Sequence, residues 1–532
     1  MNEQHKDKLH RLRHSAAHVM AQAVLEQFPE GKIAIGPPIR DGFYYDFDLP
    51  RPLTPDDLEG IETRMREIIK ENHPFEYQEV SAEEARRFYA DQPYKLELID
   101  GLAAGGVDEY GEPLEGEVVI STYQHDTFRD LCQGPHLTST GELNPEAIKL
   151  LHTAGAYWRG DEKRPMLQRI YGTAWDTAEQ LQTYLRLLEE AERRDHRRLG
   201  RQLELFTSHE LVGAGLPLWL PKGAIVRRAL EEYILQEERQ AGYQHVYTPH
   251  LGKKELYETS GHWAHYKDDM FPPMKLEHEE MVLRPMLCPH HILVYAFKPR
   301  SYRELPVRIA ELGTMYRHER SGVVSGLSRV RAMTLNDAHI FCTPDQVKEE
   351  FSNVVRLVER AYATLGITDY GYKLSSRGTA DSDKFIPNDA MWEMAERVLR
   401  EAMEALDLPY QEAPGEAAFY GPKLDIQLCD LLGHEETIST IQIDFHLPDQ
   451  FDLAYRGADG QEHRPVIIHR GVLSTMERMV AYLIELYAGA FPVWLAPVQA
   501  VLIPITDKQF DYCWEGAGQL QAAGRRGGGD GS

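Results

Sequence analysis

The stretch Glu311 to Cys342 gathers more reactive side chains at chemically useful spacing than any other part of this chain. Arg317, Glu319, Arg329 and Arg331 surround a Ser321-Gly322 turn, and the stretch ends in Asn336-Asp337-Ala338-His339. Two strand-like arms flanking a loop would let these arginines converge. Arg317 and Glu319 are two residues apart, which in a strand directs both side chains to one side. A guanidinium offers a fixed fork of donors suited to phosphate, and a carboxylate beside it can accept from an amino group. The combination points to a nucleotide site.

Other constellations carry chemistry of their own. His14 and His18 fall one turn apart on one face of a helix. Far downstream, Asp130-Leu131-Cys132-Gln133-Gly134-Pro135-His136 supplies a cysteine and a third histidine. Four such groups could bind zinc or could position water for hydrolysis. Cys288, in Arg284-Pro285-Met286-Leu287-Cys288-Pro289-His290-His291, has no local metal-ligand partner. By spacing alone it reads as a buried structural thiol, since any zinc would have to recruit ligands from as far as His339 and His469. His469 to Arg478 follows an apolar strand, Val466-Ile468, and is expected to turn through Gly471 into a helix. Arg478 would then project near a helix N-terminus, where backbone donors favour an anion.

These groups need a scaffold, and the chain is long enough for several domains at 532 residues. Hydrophobic content of 42% and charged content of 27% are those of an ordinary globular protein. A net charge of −26 argues against nucleic-acid binding by the surface as a whole, without excluding a local basic track. Five cysteines form no disulfide framework and fit a reducing, cytoplasmic compartment. The apolar segment Ala481 to Ile505 is interrupted by Pro492, Pro497 and Pro504, so no membrane span is expected.

Along the chain, Leu9, Leu12, Ala16, Met20, Ala23 and Val24 predict a helix ending at Phe28-Pro29. Short strands at Ile33-Ile35 and Phe43-Phe47 and a helix from Pro55 to Glu71 make residues 1–174 an α+β domain. An amphipathic helix through Leu181 and Leu188 leads into Arg193-Arg194-Asp195-His196-Arg197-Arg198, so residues 175–204 read as a helical linker. That basic run is either a solvated face or a nucleic-acid backbone contact. Residues 205–496 alternate helices with strands at Val307-Ile309, Lys423-Leu428 and Val466-Ile468. Finally, Val498-Ile505 reads as a strand, Asp507-Ala523 as a helix, and Arg525-Ser532 as linker.

Together these residues resemble the class II aminoacyl-tRNA synthetases, and most closely the threonyl-tRNA synthetase family. Gly242-Tyr243-Gln244-His245-Val246-Tyr247-Thr248-Pro249 is similar to the class's first segment, the opening stretch to its second, and Gly471 to Arg478 to its third. The resemblance implies an antiparallel sheet flanked by helices, preceded by an α+β editing domain. It implies that Arg317 holds the ATP α-phosphate, that Glu319 lies near the adenine, Arg329 near the γ-phosphate, and that Arg478 packs on the adenine. It also implies that Cys288, His339 and His469 hold one zinc ion, with Asp337, Tyr420, Lys423, Gln442 and Met286 lining the amino-acid pocket. ATP with magnesium, threonine and tRNA(Thr) would be the substrates of a homodimer. In the N-terminal domain the resemblance marks His14, His18, Lys95, Asp130, Cys132 and His136 as a hydrolytic editing set. Related alanine-editing domains bind zinc with such a quartet, whereas the threonyl family is understood to work without it.

The two implied sites call for each other. A zinc ion held by three protein ligands keeps an open position, suited to an amino acid bearing both an amino group and a hydroxyl. A polar site rejects the nearly isosteric valine by ~10⁴-fold or more, but serine lacks only a methyl worth ~1–3 kcal/mol. Hydrolytic removal of misplaced serine is therefore required. The chain departs from the family at Leu335, where many members carry Gln, and at Leu287, where an Asn is usual. It is also expected to lack the small N-terminal ubiquitin-like domain and most of the anticodon-binding domain that begins near residue 497. Competing readings are a deacylase without synthetic activity and a non-enzymatic RNA-binding regulator.

Overall fold

The computed structural model describes residues 3–105, 119–320, 322–378 and 385–529. It divides into two compact units, Met1–Leu187 and Leu188–Ser532. The division falls inside the helix Ala178–Arg194, within the stretch read as a linker.

In the N-terminal unit the long helix Glu3–Gln27 buries Leu12, Ala16, Met20, Ala23 and Val24. These positions recur at helical spacing, so one apolar stripe faces the core. They pack against Phe43, Tyr45 and Phe47 of the strand Gly42–Asp48, and against Ile61, Met65 and Ile68 of the helix Pro55–Glu71. That second helix starts where its sequence dictates. Thr54 accepts from the Asp57 amide, Asp57 reaches back to the cap, and Pro55 occupies the first turn. A five-stranded sheet runs in the order Lys32–Ile33, Gly42–Asp48, Met166–Ala174, Ile148–Tyr157, with Pro38–Ile39 also paired to Gly42–Asp48. A smaller sheet joins Glu76–Glu79, Ser121–His125 and Phe128–Leu131.

The C-terminal unit is built on an eight-stranded sheet. Its order is Gln244–His245, Val307–Tyr316, Ala332–Cys342, Val466–Thr475, Glu435–Asp444, Lys423–Cys429, Tyr370–Ser376 and Tyr410–Pro414. Pairing is parallel at the two ends of that order and antiparallel between them. Successive side chains in a strand alternate between faces, and the central strands of this sheet use the alternation. Ala310, Ala338, Ile340, Ile441, Ile443 and Ile468 enter the main core with the helices Pro221–Gln240, Val347–Thr364, Asp389–Ala405 and Met476–Leu486. Residues between them, among them Val307, Ile309, Phe341 and Ile467, pack on the other face with the helix Cys288–Ala296.

Several sequence expectations are corrected here. Arg317 and Glu319 lie beyond the strand, which ends at Tyr316, so they do not share a strand face. Instead the chain doubles back, with the Glu319 amide donating to the Arg317 carbonyl. Ser321 of the expected turn lies outside the described residues. Gly471 makes no turn: the strand continues through it to Thr475, which caps the helix by accepting from the Arg478 amide. The expected strand from Val498 shortens to Ala500–Leu502. Gly527–Gly529, read as linker, pairs parallel with it, while Asp530 to Ser532 lie outside the described residues. The basic run is paired in part, because Arg193 and Arg194 share Glu190 and Arg197 bonds Asp195. Among the described residues no helix is long and apolar enough to cross a membrane.

One buried polar network ties the sheet to the helix behind it. Glu238, on Pro221–Gln240, pairs with Arg470 at 2.6 Å and accepts from Asn336 at 2.8 Å and His245 at 2.7 Å. Glu238 and Arg470 are both 1% exposed. Removing one partner of a buried pair leaves an uncompensated charge, at a cost of roughly 3–5 kcal/mol. Glu238→Ala should therefore lower the stability of the C-terminal unit by about that amount, read as a shift of its denaturant midpoint. An unchanged midpoint would refute this assignment.

Candidate functional site

The register of the sheet assembles the first site. His339 stands directly opposite His469 across the pairing of Ala332–Cys342 with Val466–Thr475. Gln442 stands opposite His469 on the other side, and Lys423 opposite Gln442. All four point to the face covered by Cys288–Ala296, whose first residue brings in the thiol. The candidate ligand atoms of Cys288, His339 and His469 lie within 4.8 Å of one another. All three residues are buried. Burial raises the Cys288 thiol well above its usual range, and burial followed by repulsion from His469 holds His339 neutral. Nε2 of His339 is buried with no hydrogen-bond partner. A thiol and two imidazoles converging on one point fit zinc, whose charge would stabilise the thiolate and occupy that lone pair.

Around this cluster, Asp337 is pushed up to about 6 by burial, an effect opposed by His291 and His469. The Tyr420 hydroxyl donates to Gln442, and its ring lies 5.3 Å from that of His469. Met286 packs beside Cys288, and Lys423 is held by Asp425 at 2.6 Å. The same face explains Leu287. A Cβ at Gly313 would come within 2.3 Å of the Leu287 side chain, so this leucine occupies space that only glycine leaves free. Gly313 is the register partner of Leu335, so the Leu287 side chain lies against the strand position paired with Leu335.

The arginines gather only in part. Arg317 is pushed below its ordinary range by burial and then by Arg478. Two guanidiniums brought together are mutually unfavourable until an anion joins them, which is the property of a phosphate site. Arg478 is steadied by the Ser328 carbonyl at 3.2 Å and Glu436 at 3.3 Å. Arg329 is exposed and turned to Glu319 at 2.9 Å, and Arg331 bonds the Glu319 carbonyl.

In the N-terminal unit, His14, His18, Cys132 and His136 also bring their donor atoms within 4.8 Å of one another. The Cys132 sulfur is 3.3 Å from both His14 Nε2 and His136 Nε2. Asp130 anchors the floor, taking Lys95 at 2.5 Å and the Tyr45 hydroxyl at 2.5 Å, with His18 at 3.5 Å. Burial, and then His10, lowers His14 to about 4, and burial and the neighbouring rings lower His18 and His136. Imidazoles kept neutral beside a thiol offer lone pairs and N–H groups that can orient a water molecule. Sequence reasoning missed the residues that hold these groups: Ser15, which contacts His136 Nδ1 at 3.2 Å, Tyr45, and in the other unit His291, Glu311 and Asp444. Their partners are remote in sequence, so no local spacing announces them.

Comparisons with known proteins decide the family. The threonine–tRNA ligase of Anoxybacillus flavithermus is 57% identical over 97% of this chain and 78% of its own length. The chain belongs to the threonine–tRNA ligase family. The Staphylococcus carnosus threonine–tRNA ligase is 55% identical over a similar span, 97% of the chain and 78% of that protein. Residues 273–487 match the tRNA synthetase class II core domain (G, H, P, S and T). Residues 120–171 match the threonyl and alanyl tRNA synthetase second additional domain. Among solved structures, the RNA binding domain of threonyl-tRNA synthetase from Cryptosporidium parvum aligns with a TM-score of 0.61 and 38% identity, over 64% of this chain and 84% of that one. A threonyl-tRNA synthetase homologue from Aeropyrum pernix aligns with a TM-score of 0.58 and 30% identity, over 64% of this chain and 80% of that one. The chain thus carries the class II core and, before it in the sequence, an editing-type domain, as the sequence resemblance implied.

The editing-type unit of this family member carries a measurable pH signature in His125. It is 1% exposed between Phe75 and Phe128, and both ring nitrogens lack partners. Burial, then His73, lowers its pKa from 6.5 to about 4. Between those values the unfolded chain binds a proton that the folded one refuses. Stability present above pH 6.5 is therefore lost as the pH falls toward 4, by up to ~3 kcal/mol. His125→Phe should flatten this part of the pH profile of urea unfolding, and an unchanged profile would count against it.

Proposed function

We propose that this chain activates threonine with ATP and magnesium, transfers it to tRNA(Thr), and hydrolyses seryl-tRNA(Thr) formed in error. The observation that carries this reading is the pairing of two sites in one chain. A thiol–imidazole triad stands on the class II sheet beside converging arginines, and a four-residue hydrolytic cluster occupies the editing-type unit.

Adenylate formation joins a threonine carboxylate oxygen to the α-phosphorus and expels pyrophosphate. Charge develops on the phosphate oxygens, so fixed donors aimed there lower the barrier. Arg317 is read as the α-phosphate donor, with Arg478 against the adenine and Glu319 and Arg329 at its edges. Cys288, His339 and His469 would hold zinc, which supplies a Lewis-acid point that favours an amino acid bearing both an amino and a hydroxyl group. Asp337 is read as the acceptor for that hydroxyl, and Tyr420, Gln442, Met286 and Lys423 as the walls of the pocket. In the other unit, Asp130 and Lys95 fix His18, while His14, Cys132 and His136 bind and polarise the hydrolytic water. Residues 1–174 are assigned to editing, 175–204 to a helical connection, 205–496 to synthesis, and 497–532 to the start of an anticodon-binding region. A cytoplasmic homodimer using the segment Gly242–Pro249 completes the reading.

Cys288→Ser is expected to lose the bound zinc in metal analysis of the purified protein. Arg317→Ala should keep zinc but slow ATP–pyrophosphate exchange with threonine by ~10²-fold or more. Cys132→Ala should keep the exchange and lose seryl-tRNA(Thr) deacylation. A folded, zinc-loaded chain with no threonine-dependent exchange would overturn the synthetic reading.

A further inference from the structure

Resting on the zinc reading above, we propose that Glu311 and His291 form a positioning relay that sets the tautomer of His339, and so which of its nitrogens faces the metal. His291 lies one turn beyond Cys288 on the same helix and is fully buried. Its ring meets that of His339 edge-on, with centroids 4.8 Å apart and planes at 88°. The two Nδ1 atoms are 2.8 Å apart, and His291 Nε2 is 3.2 Å from Glu311 Oε2. A contact this short between two imidazole nitrogens holds one proton, donated by one ring to the lone pair of the other.

Glu311 decides the direction. Its carboxylate accepts from the Thr248 hydroxyl at 2.7 Å, the Thr248 amide at 3.2 Å and Arg284 at 3.2 Å. An ionised carboxylate can only accept, so His291 must carry its proton on Nε2. With that as the ring's single proton, His291 Nδ1 is an acceptor, and His339 donates from Nδ1. That leaves the lone pair on His339 Nε2, the buried atom that has no other partner. The second imidazole is set by a shorter version of the same device. His469 Nε2 donates to Asp444 Oδ2 at 2.8 Å, while Asp444 Oδ1 is held by the amides of His446 and Leu447 at 2.7 and 3.0 Å. His469 thus presents Nδ1. One ligand is oriented directly by a carboxylate, and the other through an intervening imidazole.

The relay makes a prediction that packing alone does not. In Glu311→Gln, the obligate donors Arg284 and the Thr248 amide hold the amide oxygen, so the new NH₂ faces His291. That reverses both hydrogen bonds and places a proton on His339 Nε2. Zinc affinity measured by chelator competition should fall ~10–100-fold, and the spectrum of the cobalt(II)-substituted protein should change. Unchanged affinity with an unchanged cobalt spectrum overturns the relay. A second pair of variants does not depend on Glu311→Gln folding. His291→Asn can place a carbonyl oxygen where Nδ1 accepts from His339, whereas His291→Gln reaches Glu311 instead. The Asn variant should bind zinc more tightly than the Gln variant, and equal or reversed affinities overturn the relay. Cys288→Ser separates the two levels. If it retains zinc, the metal reading itself falls; if it loses zinc while Glu311→Gln binds normally, only the relay falls.

Discussion

The pairing of Ala332–Cys342 with Val466–Thr475 is the constraint on which the rest of the synthetic unit depends. With a side-chain period of two, slipping one strand by a residue would turn His469 into the core and Ile468 out of it. The chemistry and the core are therefore specified by the same register. Ala338, Ile340 and Ile468 commit it from behind through burial, and the Glu238–Arg470–Asn336 network commits it through hydrogen bonds that no neighbouring register could satisfy. Arg470 is adjacent in sequence to His469, and Asn336 to Asp337, so the polar network behind the sheet holds the very backbone that carries the site in front.

The two units solve different electrostatic problems with similar side chains. Near the arginines, like charges are gathered so that an incoming anion relieves them. In the editing-type pocket, imidazoles are buried until they stay neutral, and a Lys95–Asp130 pair supplies a fixed local field instead. The first arrangement suits a substrate carrying several negative charges. The second suits proton movement around a water molecule, which a strongly charged site would hinder.

What could be read in the sequence follows the range over which each signal acts. His14 and His18 were legible because helical spacing alone puts them together, whereas Cys132 and His136 are simply close in sequence, in the loop after Phe128–Leu131. The Thr54–Asp57 capping box and the apolar stripe of the first helix are equally local. The triad of Cys288, His339 and His469 was not legible from spacing, because strand register and a covering helix bring it together; only the family resemblance pointed to it. Arg317 and Glu319 were misplaced because strand geometry was extended past Tyr316, where the backbone turns. Gly471 was misread as a turn because a glycine after an apolar run has two meanings, and here it lies within a long strand. The supporting residues His291, Glu311 and Asp444 were missed for the converse reason. Their importance comes from what they touch, and every partner is distant in the chain.

The fit of Leu287 against Gly313 has a consequence for how this site can change. The space is shared by two positions, one on a helix-leading loop and one on a strand, and a side chain can fill it from one side only. A side chain at 313 meets Leu287 first, so its cost depends on which residue stands at 287. Mutations there are thus epistatic, and the order in which they arise decides which paths are open. Leu335, paired with Gly313 across the strands, packs with Met315, Val330 and Met333, so the leucines at 287 and 335 border one strand position from two sides.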